Sequence, residues 1–175
     1  MAKRQQGFSL IELLIVVAII LIIAAIAIPN LLRSKQAANE AAAAAVLRGV
    51  HTSQAVYIVQ FTSSIGFADN LVKLGPGTPC DINHACLSDE MIGCTAQPCK
   101  KSGYEFYLTS SAKTFPIFDY TSSATPILWS QTGGQNYCTN DDGAIRVQKA
   151  PTGSFSSAVI HSDCADPAQY GPVGG

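Results

Sequence analysis

The sequence predicts an α+β chain, with a long N-terminal α-helix packed on a small antiparallel sheet of about four strands. Three observations predict it. Residues 13–28 carry no polar side chain, and Glu12 is the only charge between positions 8 and 28. A helical pattern then continues to position 61. Beyond position 103, short β-prone runs alternate with Gly-Gly and Asp-Gly turn signals. The chain has 175 residues, 47% hydrophobic and 13% charged, which is too apolar for a disordered polypeptide. Its 11 Lys plus Arg and 12 Asp plus Glu leave a net charge of −1, so no overall basicity argues for nucleic acid.

The first element is the apolar run. Residues 10–28, apolar except for Glu12, span roughly 28 Å at about 1.5 Å per residue, enough to cross a hydrocarbon core. A helix apolar round its whole circumference is not the surface helix of a soluble domain. An ordinary secretory signal, and with it a secreted or membrane-tethered binding domain, is the competing reading. Lys3, Arg4 and the Ala25-Ile26-Ala27 triplet fit such a signal. Against it stand the length of the run, the carboxylate inside it and the helical pattern that continues past Asn30. Lys3 and Arg4 on one side nearly balance Arg33 and Lys35 on the other, so charge alone does not orient the span. All 6 cysteines lie beyond position 79, which places that part in an oxidising compartment.

The remaining elements follow in chain order. Residues 1–7 are a polar leader ending in Gly7. Residues 8–29 are the apolar half of the helix, and Pro29 kinks it or loosens its hydrogen bonds. Residues 30–61 are its amphipathic half, rich in alanine at 37, 38 and 41–45, so that the whole helix would be roughly 80 Å long if unbroken. Val46, Leu47, Val50, Tyr57, Ile58 and Phe61 form its apolar stripe, with Arg48, Ser53 and Gln60 on the other side. The head is 62–175. Within it, 62–103 reads as loop punctuated by Gly75-Pro76-Gly77, Pro79 and Pro98, with one short turn at Ser88-Asp89-Glu90. Segment 104–148 holds the expected strands Tyr104–Thr109, Phe115–Thr121, Gln135–Thr139 and Ala144–Gln148. Residues 149–175 read as a loop-like tail. No internal repeat is present.

The segment Lys3-Arg4-Gln5-Gln6-Gly7-Phe8-Ser9-Leu10-Ile11-Glu12 resembles the signature of type IV prepilins. In that family a short basic leader ends in Gly, Phe follows, and a hydrophobic helix carries Glu four residues after the Phe. Pro29 matches the family proline near the end of the run. The resemblance is specific over 3–30 and looser beyond. It implies the pilin fold and a structural role without catalysis: a subunit of a type IV pilus, held first in the bacterial inner membrane and then in an extracellular fibre. A prepilin peptidase would cut between Gly7 and Phe8 and methylate the Phe8 amine. The mature chain would have 168 of the 175 residues and, without Lys3 and Arg4, a net charge of −3 instead of −1. An assembly platform and a cytoplasmic ATPase would build the fibre. Surfaces or DNA are its candidate ligands. The major pseudopilin of type II secretion shares the N-terminal signature and is the alternative within the superfamily.

Glu12 also has a physical reading. A carboxylate in a bilayer costs several kcal/mol unless it is paired, neutralised or near the interface. Cleavage would create an amine at Phe8, four residues away, that can pair with Glu12 of its own or a neighbouring subunit and so select axial register. Exposing some sixteen apolar side chains to water would cost on the order of 25–50 kcal/mol, which packing against copies removes. Ala18, Ala24, Ala25 and Ala27 would allow close helix approach. Non-closing contacts of this kind continue into a filament.

Six cysteines allow 15 pairings. The resemblance favours Cys138–Cys164, which would pin the tail to the third strand, as a C-terminal disulfide does in many pilins. The other four are assigned as Cys80–Cys86 and Cys94–Cys99. A zinc site from Cys80, His84 and Cys86 with His161 and Cys164 lacks the usual C-x2-C knuckle, and neither a metal nor a cofactor is expected. Asn140-Asp141-Asp142-Gly143 reads as a hairpin turn in preference to a calcium loop. His51, His84 and His161 sit in no nucleophile or metalloprotease pattern, and the aromatic residues read as core.

Overall fold

The computed structural model describes residues 8–61, 65–112 and 116–173. The chain divides into two compact units, Met1–Lys35 and Gln36–Gly175. Helix α1, Leu10–Gln60, supplies the first and enters the second. It starts two residues later than the pattern suggests: Phe8 and Ser9 precede it, and the Ser9 carbonyl accepts the Leu13 N–H at 3.2 Å. Its hydrogen bonding extends past Gln60 to Phe61, whose N–H reaches the Tyr57 carbonyl at 3.0 Å. The expected helix end at 62–64 lies outside the described residues.

In the second unit α1 packs on a sheet of 6 strands, not four. They are β1 Cys99–Lys101, β2 Tyr104–Thr109, β3 Thr121–Pro126, β4 Tyr137–Asn140, β5 Arg146–Gln148 and β6 Tyr170–Pro172. The strands lie side by side in chain order, and every neighbouring pair is antiparallel. Strand β2 has the expected bounds and alternates buried and half-buried residues, with Tyr104, Phe106 and Leu108 turned to the core. The expected strand at Phe115–Thr121 is displaced to β3. Phe115 lies outside the described residues, and Ile117 makes only a one-residue bridge to Gly66. Strands β1 and β6 stand where the sequence reads as loop and tail, along with a 3-10 turn at Leu71–Leu74 and helix α2, His161–Ala165. Strand β1 forms by pairing with the longer β2, and β6 by pairing with the equally short β5, and three residues carry too little periodicity to be read alone.

Strand β3 is buried at all six positions although its sequence is Thr-Ser-Ser-Ala-Thr-Pro. Register explains how. Phe106 pairs with Ala124, so Ala124 joins the core against α1, and Thr121, Ser123 and Thr125 face the other way. There the tail covers them. Phe155 N–H donates to Thr125 Oγ1 at 3.1 Å, Val159 N–H to Ser123 Oγ at 3.4 Å, and Thr121 Oγ1 to Asn140 Oδ1 at 3.0 Å. Asn136, itself buried, accepts from Thr125 Oγ1 at 2.8 Å and donates to Gln148 and to the Gly153 carbonyl. A second small core of Cys138, Val159, Cys164 and Tyr170 lies under the tail. The sheet is thus covered on both faces, and a polar central strand is tolerated because its hydroxyls are satisfied.

The buried stripe of α1 is Ala43, Ala44, Leu47, Val50, Ser53, Gln54 and Tyr57. Val46, Ile58 and Phe61 are only half-buried, Ala37, Ala38, Ala41 and Ala45 are exposed, and Ser53 belongs to the packed face and not the outer one. Ser53 Oγ donates to the Leu87 carbonyl at 3.0 Å. Gln54 holds Ala68 by two bonds of 2.8 Å, its Nε2 donating to the carbonyl and its Oε1 accepting the N–H. Tyr57 Oη donates to the Ile82 carbonyl at 2.6 Å. The loop region 65–98 is therefore fastened to α1 by buried polar contacts. Gln54→Leu leaves both Ala68 backbone groups buried and unpaired. It should cost about 3 kcal/mol, read as a lowered thermal midpoint of the full-length protein in detergent micelles.

Candidate assembly surface

The first unit is built from one kind of surface. From Phe8 to Lys35 every side chain is exposed except Ala24, which is half-buried. Seventeen of these are large and apolar, from Phe8 through Leu32. The helix is long and apolar enough to cross a membrane. Glu12 lies exposed in its first turn, where a carboxylate suits the positive end of the helix dipole. Phe8 stands before the helix, so the two residues do not share a helical face in the sense the i, i+4 spacing suggests. Helix α1 runs through Pro29, which brings no N–H to the Ala25 carbonyl. Gly7 and the rest of the leader lie outside the described residues.

In the second unit, residues of α1 clamp the turn after β3. Asn39 Nδ2 donates to the Thr132 carbonyl and Gly134 N–H donates to Glu40 Oε1, both at 2.8 Å, and Gln36 donates to the Ser130 carbonyl. Gly133 is required here, because a Cβ at that position would sit 2.2 Å from Tyr104 Oη. Burial, and then Glu40, pushes the Tyr104 hydroxyl far above its usual range and Tyr137 up to about 12, and the Tyr104 hydroxyl donates to the Gln135 carbonyl at 3.0 Å.

Asn140-Asp141-Asp142-Gly143 forms the turn between β4 and β5, with Gly143 N–H on the Asn140 carbonyl at 3.0 Å and Gly143 at φ +71°. Its carboxylates are engaged. Asp142 pairs with Arg146 and accepts the Ala144 N–H, and Asp141 Oδ1 lies 2.8 Å from His161 Nε2. His51 Nδ1 meets the Tyr120 hydroxyl at 2.6 Å. Burial, then Asp141 and Asp142, raises the Tyr120 hydroxyl.

The cysteines are joined as Cys80–Cys86, Cys94–Cys99 and Cys138–Cys164, with Cα separations of 5.6, 5.5 and 5.9 Å. Bonded in pairs, their sulfurs are not thiolates that could hold zinc beside His84 or His161. Cys138 lies on the fourth strand, not the third, because β1 precedes the others. The bridge closes β5, the tail and α2 into one loop. Motif reading of the sequence does not single out Gln54 or Asn136, and it gives Ser53 and Asn140 other places, on the outer helix face and in the hairpin turn; nothing in their spacing marks these groups as the ones that hold loop and tail.

The Arg146 hydrogen bond, then the Ala144 N–H, holds Asp142 below the usual carboxylate range, and the Ser111 hydroxyl and N–H do the same for Asp119. A depressed folded-state value adds stability that is complete above the unfolded value near pH 4 and is lost as pH falls through the folded one. The thermal midpoint should therefore fall as the pH is lowered below about 4, and Asp142→Asn should make that fall shallower while lowering the midpoint at pH 7.

Comparison with known proteins bears on the same residues. The family model described as "Prokaryotic N-terminal methylation motif" matches residues 2–28. The chain is 38% identical over 87 residues to the "Type IV wide pilus major component PilA4" of Thermus thermophilus, covering 49% of this chain and 66% of that protein. It is 42% identical over 71 residues to the "Type IV major pilin protein PilA" of Myxococcus xanthus, covering 37% and 32%. It is 31% identical over 142 residues to a "Fimbrial protein" of Pseudomonas aeruginosa, covering 73% of this chain and 92% of that one. The matches thus span just under two thirds of the first of these relatives and about a third of the second. No solved structure matches the chain.

Proposed function

Because the chain belongs to the type IV pilin family, we propose that it is a structural subunit of a type IV pilus, assembled through α1 and without catalysis of its own. The observation that carries this reading is the exposed surface of residues 10–28, apolar throughout except for the single charge of Glu12. Such a surface is stable in lipid or against other apolar helices and nowhere else. In this reading the precursor sits in the bacterial inner membrane. A prepilin peptidase cuts between Gly7 and Phe8 and methylates the new amine, and an ATPase-driven platform moves the helix into the extracellular fibre. Glu12 pairs with the Phe8 amine of a neighbouring copy, which fixes the stagger of one helix against the next. Pro29, with its missing donor, lets the helix adjust along the bundle. The engaged carboxylates of Asp141 and Asp142 support this reading over a pseudopilin with a calcium loop.

Two variants test it. Glu12→Ala should yield protein whose mass still begins at Phe8 but whose surface fibres, counted by electron microscopy, are almost absent. Normal fibre numbers would remove Glu12 from this role. Gly7→Glu should retain the leader, and a mass beginning at Phe8 in that variant would refute the assigned cleavage site.

A further inference from the structure

The second unit begins with Gln36, and its first residues are fastened to the turn after β3. Gln36 donates to the Ser130 carbonyl, Asn39 to the Thr132 carbonyl, and Glu40 accepts the Gly134 N–H. That turn opens with Ile127-Leu128-Trp129. Ile127 and Leu128 are exposed and Trp129 is half-exposed. Trp129 is the chain's only tryptophan, and no charged residue occurs from Tyr120 to Asn140. A lone exposed leucine means little. Two adjoining aliphatic residues and an indole on an uncharged turn are the composition of a membrane-interface anchor, where Trp keeps its ring among acyl carbons and its N–H at the headgroups.

A turn enters that layer cheaply only if its backbone groups are already paired. Ile127 N–H donates to the Gly103 carbonyl at 2.9 Å, Leu128 N–H to Thr132 Oγ1 at 3.1 Å and Ser130 N–H to the Gly133 carbonyl at 2.8 Å. The N–H groups of Gln131 and Thr132 both reach the Leu128 carbonyl. The turn therefore presents side chains in place of bare amides. Chain length sets its level. Arg33 and Lys35 are the first cations after the apolar run, the residues that hold such a helix at the headgroups. Gln36 follows Arg33 by three residues, a reach of at most about 11 Å whatever angle the two units make.

We propose that the Ile127-Leu128-Trp129 turn rests in the headgroup layer of the bilayer that holds the apolar span, so that the second unit docks on the lipid surface before assembly. The proposal rests on the membrane-inserted precursor described above. Lipid is the occupant, and not a second copy, because the residue that grips the turn follows the span in the same chain. Insertion of the span by itself brings turn and headgroups together.

The single tryptophan is the probe. Full-length protein is reconstituted at high lipid excess into phosphatidylcholine vesicles whose acyl chains carry bromine either close to the glycerol or near the terminal methyl. Trp129 emission should be quenched at least about twice as strongly by the shallow bromines as by the deep ones. Ile127→Ser/Leu128→Ser should remove most of that quenching with the far-ultraviolet circular dichroism unchanged. Flotation with the vesicles separates the two readings. Protein that floats while Trp129 is quenched by aqueous acrylamide and not by lipid bromine would overturn the docking alone. Floating protein whose Trp129 is shielded from both quenchers would overturn it in favour of a second copy covering the turn. Protein that fails to float would overturn the membrane reading, and the docking with it.

Discussion

Water cannot solvate the first half of α1, and the rest of the molecule follows from that constraint. Burying an apolar side chain is worth about 1.5–3 kcal/mol, and the seventeen large ones from Phe8 to Leu32 are all exposed in the single chain. Folding of one copy does nothing for them. Their free energy is recovered only in a bilayer or among other helices, so the environment of the first unit is part of its stability. One carboxylate in that surface has a different weight from one on an ordinary helix, since removing it from water unpaired costs several kcal/mol. In the proposed assembly, that asymmetry is what lets Glu12 select how copies align.

The second unit solves a different problem. Its sheet is covered on both faces, by α1 on one and by the tail on the other, yet the central strand β3 is made of small polar residues. Hydroxyls of Thr121, Ser123 and Thr125 meet partners in β4 and the tail, and Gln54 and Tyr57 hold the long loop from inside the helix. A buried polar group is costly only when it is unpaired. This unit thus uses paired polar groups where many small domains use aliphatic packing, and its specificity lies in which partner each group finds.

The same distinction decides what could be read from sequence. The helix was legible because its signals are long: a run of apolar residues, then Leu47, Val50 and Tyr57 at helical spacing. The N-terminal methylation motif was legible because Gly7, Phe8 and Glu12 stand close together at the head of the apolar run. Strand β2 was legible through Tyr104, Phe106 and Leu108 alternating with half-buried neighbours. Strand β3 was not, because no face of Thr-Ser-Ser-Ala-Thr-Pro is apolar and its burial depends on a tail some thirty residues away. Ser53 was placed on the wrong side for a related reason, since its partner is a loop carbonyl that sequence cannot locate. Strands β1 and β6 exist only through their pairing.

The outermost strands bear on how copies of this chain coexist. A sheet edge offers unpaired backbone groups to any other edge that approaches, and crowding raises that hazard. Here β1 is three residues long and carries Lys100 and Lys101, and β6 is three residues long and ends in Pro172, which has no N–H to donate. Neither rim is a template for adding a foreign strand. In the proposed fibre, heads of this kind can be concentrated side by side without zippering into amyloid-like ribbons, and apolar helix contact is then the attraction that orders them.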